Sequence, residues 1–599
     1  MKDLSFDLCW NKQWDHLARV RRPSRYIGEE WGTLKPKDDR RDLVKICLAY
    51  PDVYEVGMSY IGYQILYYLI KSLDVADVDR AYAPWPDMEG LLAQDNEHLR
   101  SLETKRPLRD FDLIGFTLQY ELNATNILTM LALSSIPLRS EDRGEDDPII
   151  IAGGPGSLAP APYAPFIDVF CMGDGEELIV EMLSSLFEAR FLKRSEKLQL
   201  MSKIDGCYVP AVAGPRASVK RRIVSLQDAF ATTSYLVPSD KIVHDRASVE
   251  VFRGCSRGCR FCQAGMIYRP VRYRDPQKVS RLAEGIIRSS GYEELGLVSL
   301  STCDYPWLEG LLDDLGPFLT ENRIILSLPS LRMDPKAIDI ALKLEGMRKK
   351  GLTFAPEAGT QRLRNVINKG VTEEDIEKTL KAVFEAGWNK VKLYFMMGLP
   401  TEGDEDLCGI ADVIRLAYSI GRSYNKRSSV SASIAGFVPK AHTPFQWEAQ
   451  NSVEELKSKG LWLKSQFREK NISVSFHEPT QSFIEAVIAR GDERVGDVIE
   501  KAWRYGARFD GWGETFDISL WQKAFEDCNL DPREITSKPL SYDDVLPWDH
   551  VDVGVTKDFL WCERVKALNG ELTKDCRWNG CNGCGLEDVC FDARSGHDS

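Results

Sequence analysis

The chain has 599 residues, too many for one ordinary domain, so three or four are expected. Hydrophobic content of 43% is enough for real cores, and a net charge of −13 argues against a general polyanion-binding surface, leaving at most a local basic groove for RNA. No apolar run is long enough to span a membrane and the start, Met1-Lys-Asp-Leu-Ser-Phe-Asp, has no signal core, so a cytoplasmic protein with no membrane contact is expected, its cysteines out of disulfides.

Residues 1–40 read as a polar lead-in, with Trp10, Trp14 and Tyr26 available for docking. From 41 to 190, short apolar strands alternate with helices. Strands are expected at 43–49, 113–118, 149–152 and 169–172. Helices are expected at about 60–71 and from the turn 173–177 to about 186. That rhythm predicts an α/β domain with a doubly wound parallel sheet. Such sheets take ligands beyond the carboxyl ends of their strands, here at the turns 52–57, 119–123, 153–156 and 173–177. Residues 191–246 read as a connector. Its basic run at 216–222 could touch phosphate, although a solvated basic edge is the simpler reading.

Residues 247–475 repeat strand and helix again, with strands expected at 248–252, 295–300, 324–328, 351–354, 390–395 and 429–434. This is the repeat of a partial (β/α)6 barrel, whose active residues sit at the carboxyl ends of the strands. The first strand runs into Val251-Phe-Arg-Gly-Cys-Ser-Arg-Gly-Cys-Arg-Phe-Cys-Gln-Ala-Gly265. Cys255, Cys259 and Cys262 stand there at C-x3-C-x2-C. Three thiolates suit a four-iron cluster with one iron left open. Gly254, Gly258 and Gly265 let the loop wrap closely, and Arg253, Arg257 and Arg260 would offset the charge of the cluster. A zinc loop is the alternative, but no nearby His or Cys completes its fourth position.

Residues 476–560 are rich in aromatics and read as an extension covering the barrel. His477, Asp492 and Asp510 are candidate substrate-side groups there, with capping and packing the simpler reading. The tail, 561–599, carries Cys576, Cys581, Cys584 and Cys590 at C-x4-C-x2-C-x5-C. That spacing suits a second iron–sulfur cluster or a structural zinc equally, with Cys562 as a substitute ligand.

The stretch 251–265 resembles the signature of the radical S-adenosylmethionine (SAM) superfamily, including an aromatic residue, Phe261, before the last cysteine. The resemblance implies that the open iron chelates SAM and that electron transfer cleaves a carbon–sulfur bond to give a 5'-deoxyadenosyl radical. Pro356-Glu-Ala-Gly-Thr360 and Gly398-Leu-Pro-Thr-Glu402 resemble strand ends of the same enzymes, the methylthiotransferases included. This implies that Glu357 and Arg362 contact the polar ends of SAM, that backbone from Gly398 to Pro400 lies beside adenine, and that Phe261 and Ser330 belong to the same site. Residues 41–190 resemble the cobalamin-binding domain of one large radical SAM class. Gly57, Gly153, Gly154, Gly173 and Glu176 would then border cobalamin. Where that class has its cobalt-binding histidine, this chain has Tyr54, and a phenol with a pKa near ~10 is a poor cobalt ligand. Either cobalamin sits with no protein ligand on that face and Tyr54 packs near the ring, or the domain has kept its fold and lost its cofactor.

The expected activity is hydrogen abstraction from, or methylation of, an unactivated carbon, with cobalamin relaying the methyl group. The alternatives are a cobalamin-free rearrangement or sulfur insertion, RNA modification included, and a non-catalytic iron–sulfur protein that binds RNA or the ribosome. A flavodoxin or ferredoxin is the expected electron donor.

Overall fold

The structure is a computed structural model, and it describes residues 15–37, 40, 42–214, 216–328, 332–333 and 352–590. Trp10, Trp14 and Ser330 lie outside the described residues.

The first sheet contains β1 (Val44–Tyr50), β2 (Ala76–Tyr82), β3 (Leu113–Thr117), β4 (Ile149–Gly153), β5 (Val169–Cys171) and β6 (Cys207–Tyr208). Their spatial order is β2-β1-β3-β4-β5-β6, parallel except for β6. Alternate residues of each strand feed different cores, as a period of two requires. Ile46, Leu48 and Ile151 pack under the helices Ile61–Ser72 and Gly175–Glu188. Cys47, Ala49 and Ile150 face the helix Ala124–Leu133 on the other side. Two covered faces explain why β1, β3 and β4 are almost wholly apolar.

β2 was not expected, because Asp77, Asp79 and Arg80 interrupt its apolar pattern. The structure neutralises them internally. Arg80 is fully buried, 2.8 Å from Glu30 of the lead-in and 2.8 Å from Glu103. A charged strand can be buried only with such partners. The lead-in is docked as well, since the Tyr26 hydroxyl accepts the Trp85 N–H at 3.1 Å.

The second α/β region is built from β7 (Ala247–Glu250), β8 (Glu294–Val298), β9 (Ile325–Ser327), β10 (Leu352–Glu357), β11 (Lys390–Met397), β12 (Ser429–Gly436) and β13 (Ile472–Phe476). Among the described residues these strands form two parallel sheets, β9-β8-β7 and β10-β11-β12-β13. β13 adds a strand to the six expected. One core, including Leu295, Leu297, Phe354, Leu393 and Ile434, joins the two sheets.

The helices of the aromatic extension, Pro479–Arg490 and Arg494–Tyr505, share one core with the first sheet and with Met266, Ile267, Ala441 and Trp447 of the second region. Trp503 Nε1 donates to Thr129 at 3.0 Å, and Arg139 pairs with Glu500 at 2.7 Å. The basic run is likewise structural in part, because buried Arg221 donates to the Val553 carbonyl at 2.6 Å.

Candidate active site

β7 leads into a short ribbon in which Phe252–Arg253 pairs with Arg272–Tyr273. The cysteine loop follows. Gly254 has φ of +91°, and a Cβ there would meet the Tyr268 and Pro270 carbonyls at 2.5 Å. Only glycine closes the loop this tightly. Cys262 then caps the helix Gln263–Ile267, its Sγ accepting the Gly265 N–H at 3.3 Å.

Burial pushes the Cys255 thiol up and the Cys262 thiol up to about 12, and the second cause in both is Cys259. The three sulfurs therefore feel one another in a partly dry place. A metal centre binds such cysteines as thiolates. Among the described residues, no three His, Cys, Asp or Glu side chains close on a point that one ion could fill. Three thiolates suit a four-iron cluster with one iron left open, whereas a structural zinc takes four protein ligands.

The arginines of the loop do not serve as free counter-charges. Arg253 meets Glu250 at 2.9 Å, Asp174 at 2.7 Å and Glu176 at 2.7 Å. Arg257 donates to Asp304 at 2.8 Å, and Arg260 meets Glu563 at 3.1 Å. Each anchors the loop to another part of the fold.

Other strand ends converge on this loop. Phe261 packs with Ala358 from the end of β10, Leu399 and Met396 from the end of β11, and Phe437 after β12. Asn368 Nδ2 donates to the carbonyls of Arg257 and Gly258, both at 3.2 Å. Glu357 sits past a register shift in β10 with φ of +67°, an unusual setting for a non-glycine residue. Its carboxylate meets Lys369 at 3.1 Å. Lys369 also lies close enough to favour the Cys262 thiolate. Arg332 favours the Cys255 thiolate and donates to the Lys369 carbonyl at 2.5 Å.

Arg362 lies on the helix Gln361–Val366 that follows β10. Its guanidinium is half exposed, donates to the Thr401 carbonyl at 2.8 Å and pairs with Asp406. Lys369, which the sequence pattern did not single out, is the cation beside Glu357. The turn at Gly398 is held rigidly: its N–H donates to Glu402 at 2.8 Å, and Lys459 pairs with Glu402 at 2.7 Å. Leu399 and Pro400 follow within that braced turn.

The carboxyl edge of the first sheet is filled by the chain's own atoms. A Cβ on Gly57 would strike the Tyr82 ring, and one on Gly154 would meet the Leu118 carbonyl at 2.9 Å. At Gly173 the obstacle is the Arg222 backbone, while Gly153 lies over Cys171 at 3.7 Å. Asp174 and Glu176 are spent on Arg253. Trp512 Nε1 donates to Asp52 at 3.0 Å, so the extension closes the first loop.

Tyr54 does not present itself to a ring. It is 1% exposed, packs edge-on against Tyr82 at 5.2 Å, and its hydroxyl accepts the Ser239 N–H at 3.2 Å. As they stand, these loops and the inward Tyr54 do not fit a corrin.

Asp510 is buried between Thr125 at 2.6 Å and Trp521 at 2.9 Å, and Asp492 accepts the Arg494 N–H at 3.0 Å, so both are placed structurally. His477 is exposed, with its backbone N–H donating to the Ile434 carbonyl at 3.0 Å.

Two family models match the chain. "Radical SAM proteins, N-terminal" covers residues 62–210, and "Radical SAM superfamily" covers residues 249–414. The chain is a radical SAM protein. That superfamily uses a 4Fe-4S cluster and SAM, and its members need a reductant. An uncharacterized protein of Methanocaldococcus jannaschii is 28% identical over 462 residues, 76% of this chain and 90% of the relative. An anaerobic magnesium-protoporphyrin IX monomethyl ester cyclase of Cereibacter sphaeroides is 24% identical over 309 residues, 49% of this chain and 46% of the cyclase. The match thus spans about half of that enzyme. The radical SAM methyltransferase TsrM of Kitasatospora setae, solved with cobalamin and a 4Fe-4S cluster bound, has a TM-score of 0.52 at 13% identity, covering 81% of this chain and 100% of that one. The likeness is one of fold. Among the described residues no helix is long and apolar enough to cross a membrane.

Proposed function

We propose that this radical SAM enzyme holds a four-iron cluster on Cys255, Cys259 and Cys262, that SAM is cleaved there by one electron from the reduced cluster, and that the resulting radical abstracts hydrogen from an unactivated carbon of the substrate. The observation that carries the reading is the convergence of Phe261, Ala358 and Leu399 in one apolar cluster at the Cys255–Cys262 loop. A four-iron cluster held there supplies the electron for cleavage. The chain's own residues do the rest. Gly265 N–H and Lys369 favour the Cys262 thiolate, and Arg332 favours that of Cys255. Glu357 suits the ammonium of SAM, and Lys369 suits its carboxylate, each by a charge-assisted hydrogen bond. The braced backbone from Gly398 to Pro400 suits a flat base.

A corrin enters this reading only as fold. The likeness to a cobalamin-bearing methyltransferase supports a second cofactor, whereas the filled loops and inward Tyr54 favour SAM and the cluster alone. The test is anaerobic reconstitution with iron, sulfide, reductant and SAM, with and without cobalamin. Formation of 5'-deoxyadenosine that disappears in Cys255→Ala/Cys259→Ala/Cys262→Ala supports the proposal. A reduced triple variant with a resonance signal still perturbed by SAM would overturn it, and stoichiometric uptake of cobalamin would restore the methyl-transfer reading.

A further inference from the structure

Two cysteines stand apart from those of the signature and the tail. Cys255 shares a cavity of about 460 Å³ with Cys576, Cys584 and Cys590, while Cys581 and Cys562 do not line it. Cys207 belongs instead to the core under the helices Ile61–Ser72 and Gly175–Glu188, and Cys171 packs against that core. Among the described residues no other cysteine is part of it.

β5 and β6 are antiparallel, with Cys171 directly opposite Cys207. The Met172 N–H donates to the Gly206 carbonyl at 2.7 Å, one residue after the first cysteine and one before the second. A ladder bond in that place flanks the pair instead of joining it. The pair is therefore of the non-hydrogen-bonded kind, with Cα atoms about 4.5 Å apart and the side chains close on one face. Disulfides span Cα separations of about 4.4–6.8 Å. The side chains also face each other, because a hydrogen bond to Cys207 pushes the Cys171 thiol up, ahead of burial. Both are free thiols in this structure, and joining them asks little of the backbone.

The place is closed but not sealed. Cys207 is buried and Cys171 only partly so. β6 is a strand of two residues at the edge of its sheet. Such an edge opens locally at less cost than the whole domain, which admits a small oxidant. The pair also sits close to working parts. Asp174, three residues after Cys171, pairs with Arg253 at 2.7 Å, and Arg253 stands two residues before Cys255. The Arg222 N–H donates to the Met172 carbonyl at 2.9 Å. A bond between the cysteines would pin residues 191–246 to the strand end that anchors the signature loop.

We infer that Cys171 and Cys207 are a reversible oxidation site that closes to a disulfide. The oxidant is a small disulfide of the glutathione class. One cysteine, as thiolate, attacks it and releases one glutathione thiol. The second cysteine then displaces the other glutathione. One sulfur–sulfur bond forms and one breaks, the oxidant takes two electrons, and the two cysteine protons end on the two glutathione thiols. The proposal does not depend on the cluster or on SAM.

The anaerobically purified full chain is incubated with excess oxidised glutathione, quenched in acid with N-ethylmaleimide, and mapped as unreduced tryptic peptides. The expected product is a linked pair carrying Cys171 and Cys207, two hydrogens lighter than the separate peptides and parted again by dithiothreitol. Cys207→Ser should trap Cys171 as its mixed disulfide with glutathione. Oxidation should raise the urea midpoint of the wild type and not that of the variant, because a cross-link constrains the unfolded chain. Maleimide on both Cys171 and Cys207 after oxidation, or either one linked to a different cysteine, would overturn the pair. That reading needs only the wild type, so it holds even if Cys207→Ser fails to fold.

Discussion

Arg260, inside the cysteine signature, is buried against Glu563 of the C-terminal helix Lys557–Leu568, 303 residues away, at 3.1 Å. The same guanidinium donates to the Val366 carbonyl at 3.0 Å, so it ties the loop to two distant segments. Removing one partner of a buried pair leaves an uncompensated charge, which costs about 3–5 kcal/mol. Glu563→Ala should therefore lower stability to urea by that order and weaken retention of iron by the loop. Arg260→Met/Glu563→Leu should recover most of the stability. Wild-type stability in the single variant would show that the pair is not formed.

A second expectation concerns the cation beside Glu357. Hydrogen bonds to charged groups contribute about 1.5–3 kcal/mol, equivalent to roughly 10- to 150-fold in binding. Lys369→Met and Glu357→Gln should each weaken SAM binding within that range, read by calorimetry on reconstituted protein. Arg362→Ala should change it little, because its guanidinium is committed to Thr401 and Asp406. The reverse ranking would return Arg362 to its sequence-based role.

These cases show what the sequence made legible. The cysteine spacing is local, and the strand ends follow from apolar runs, so the α/β class and the candidate site could be read from pattern. Lys369 could not be chosen, because only the shifted register of β10 sets it against Glu357. β2 was hidden because burying Arg80 requires Glu30 and Glu103, neither of them a neighbour in sequence. The signature arginines looked like counter-charges for the same reason: their carboxylates come from distant elements. Tyr54 occupies a recognisable motif position, yet its direction is decided by Tyr82 and Ser239.

Asp52 gives a pH signature for the closed edge of the first sheet. Burial raises its carboxyl to about 6, against a lowering by the Val53 N–H and Trp512. The folded state therefore holds the proton more tightly than the unfolded state. The stability this confers is present at low pH and is lost as pH rises from about 4 to about 6. A shift of about two units corresponds to about 3 kcal/mol. Asp52→Asn keeps the oxygen that accepts from Trp512 and removes the titration. Wild type minus variant, measured by urea unfolding from pH 4 to 7, should fall by that order across the window and then level off. A flat difference would show that Asp52 is not buried under Trp512.

Gly359 tests how tightly the Pro-Glu-Ala-Gly-Thr run is clamped behind the candidate site. The helix Asp404–Tyr424 crosses it so closely that a Cβ on Gly359 would strike the backbone of Asp406, Gly409 and Ile410. Backbone cannot rotate away as a side chain can. Thr360 at the same corner bonds Asp406, so strand end and helix would have to part together. Overpacking of this kind costs about 1–3 kcal/mol or more. Gly359→Ala should lose at least that much stability and, by displacing Glu357 two residues earlier, weaken SAM binding as well. Gly310→Ala, in the helix Leu308–Glu321 with nothing within 4 Å of its added Cβ, is the control; it should leave SAM binding unchanged and raise stability by up to about 1 kcal/mol. Equal behaviour of the two variants would show that helix and strand end do not touch.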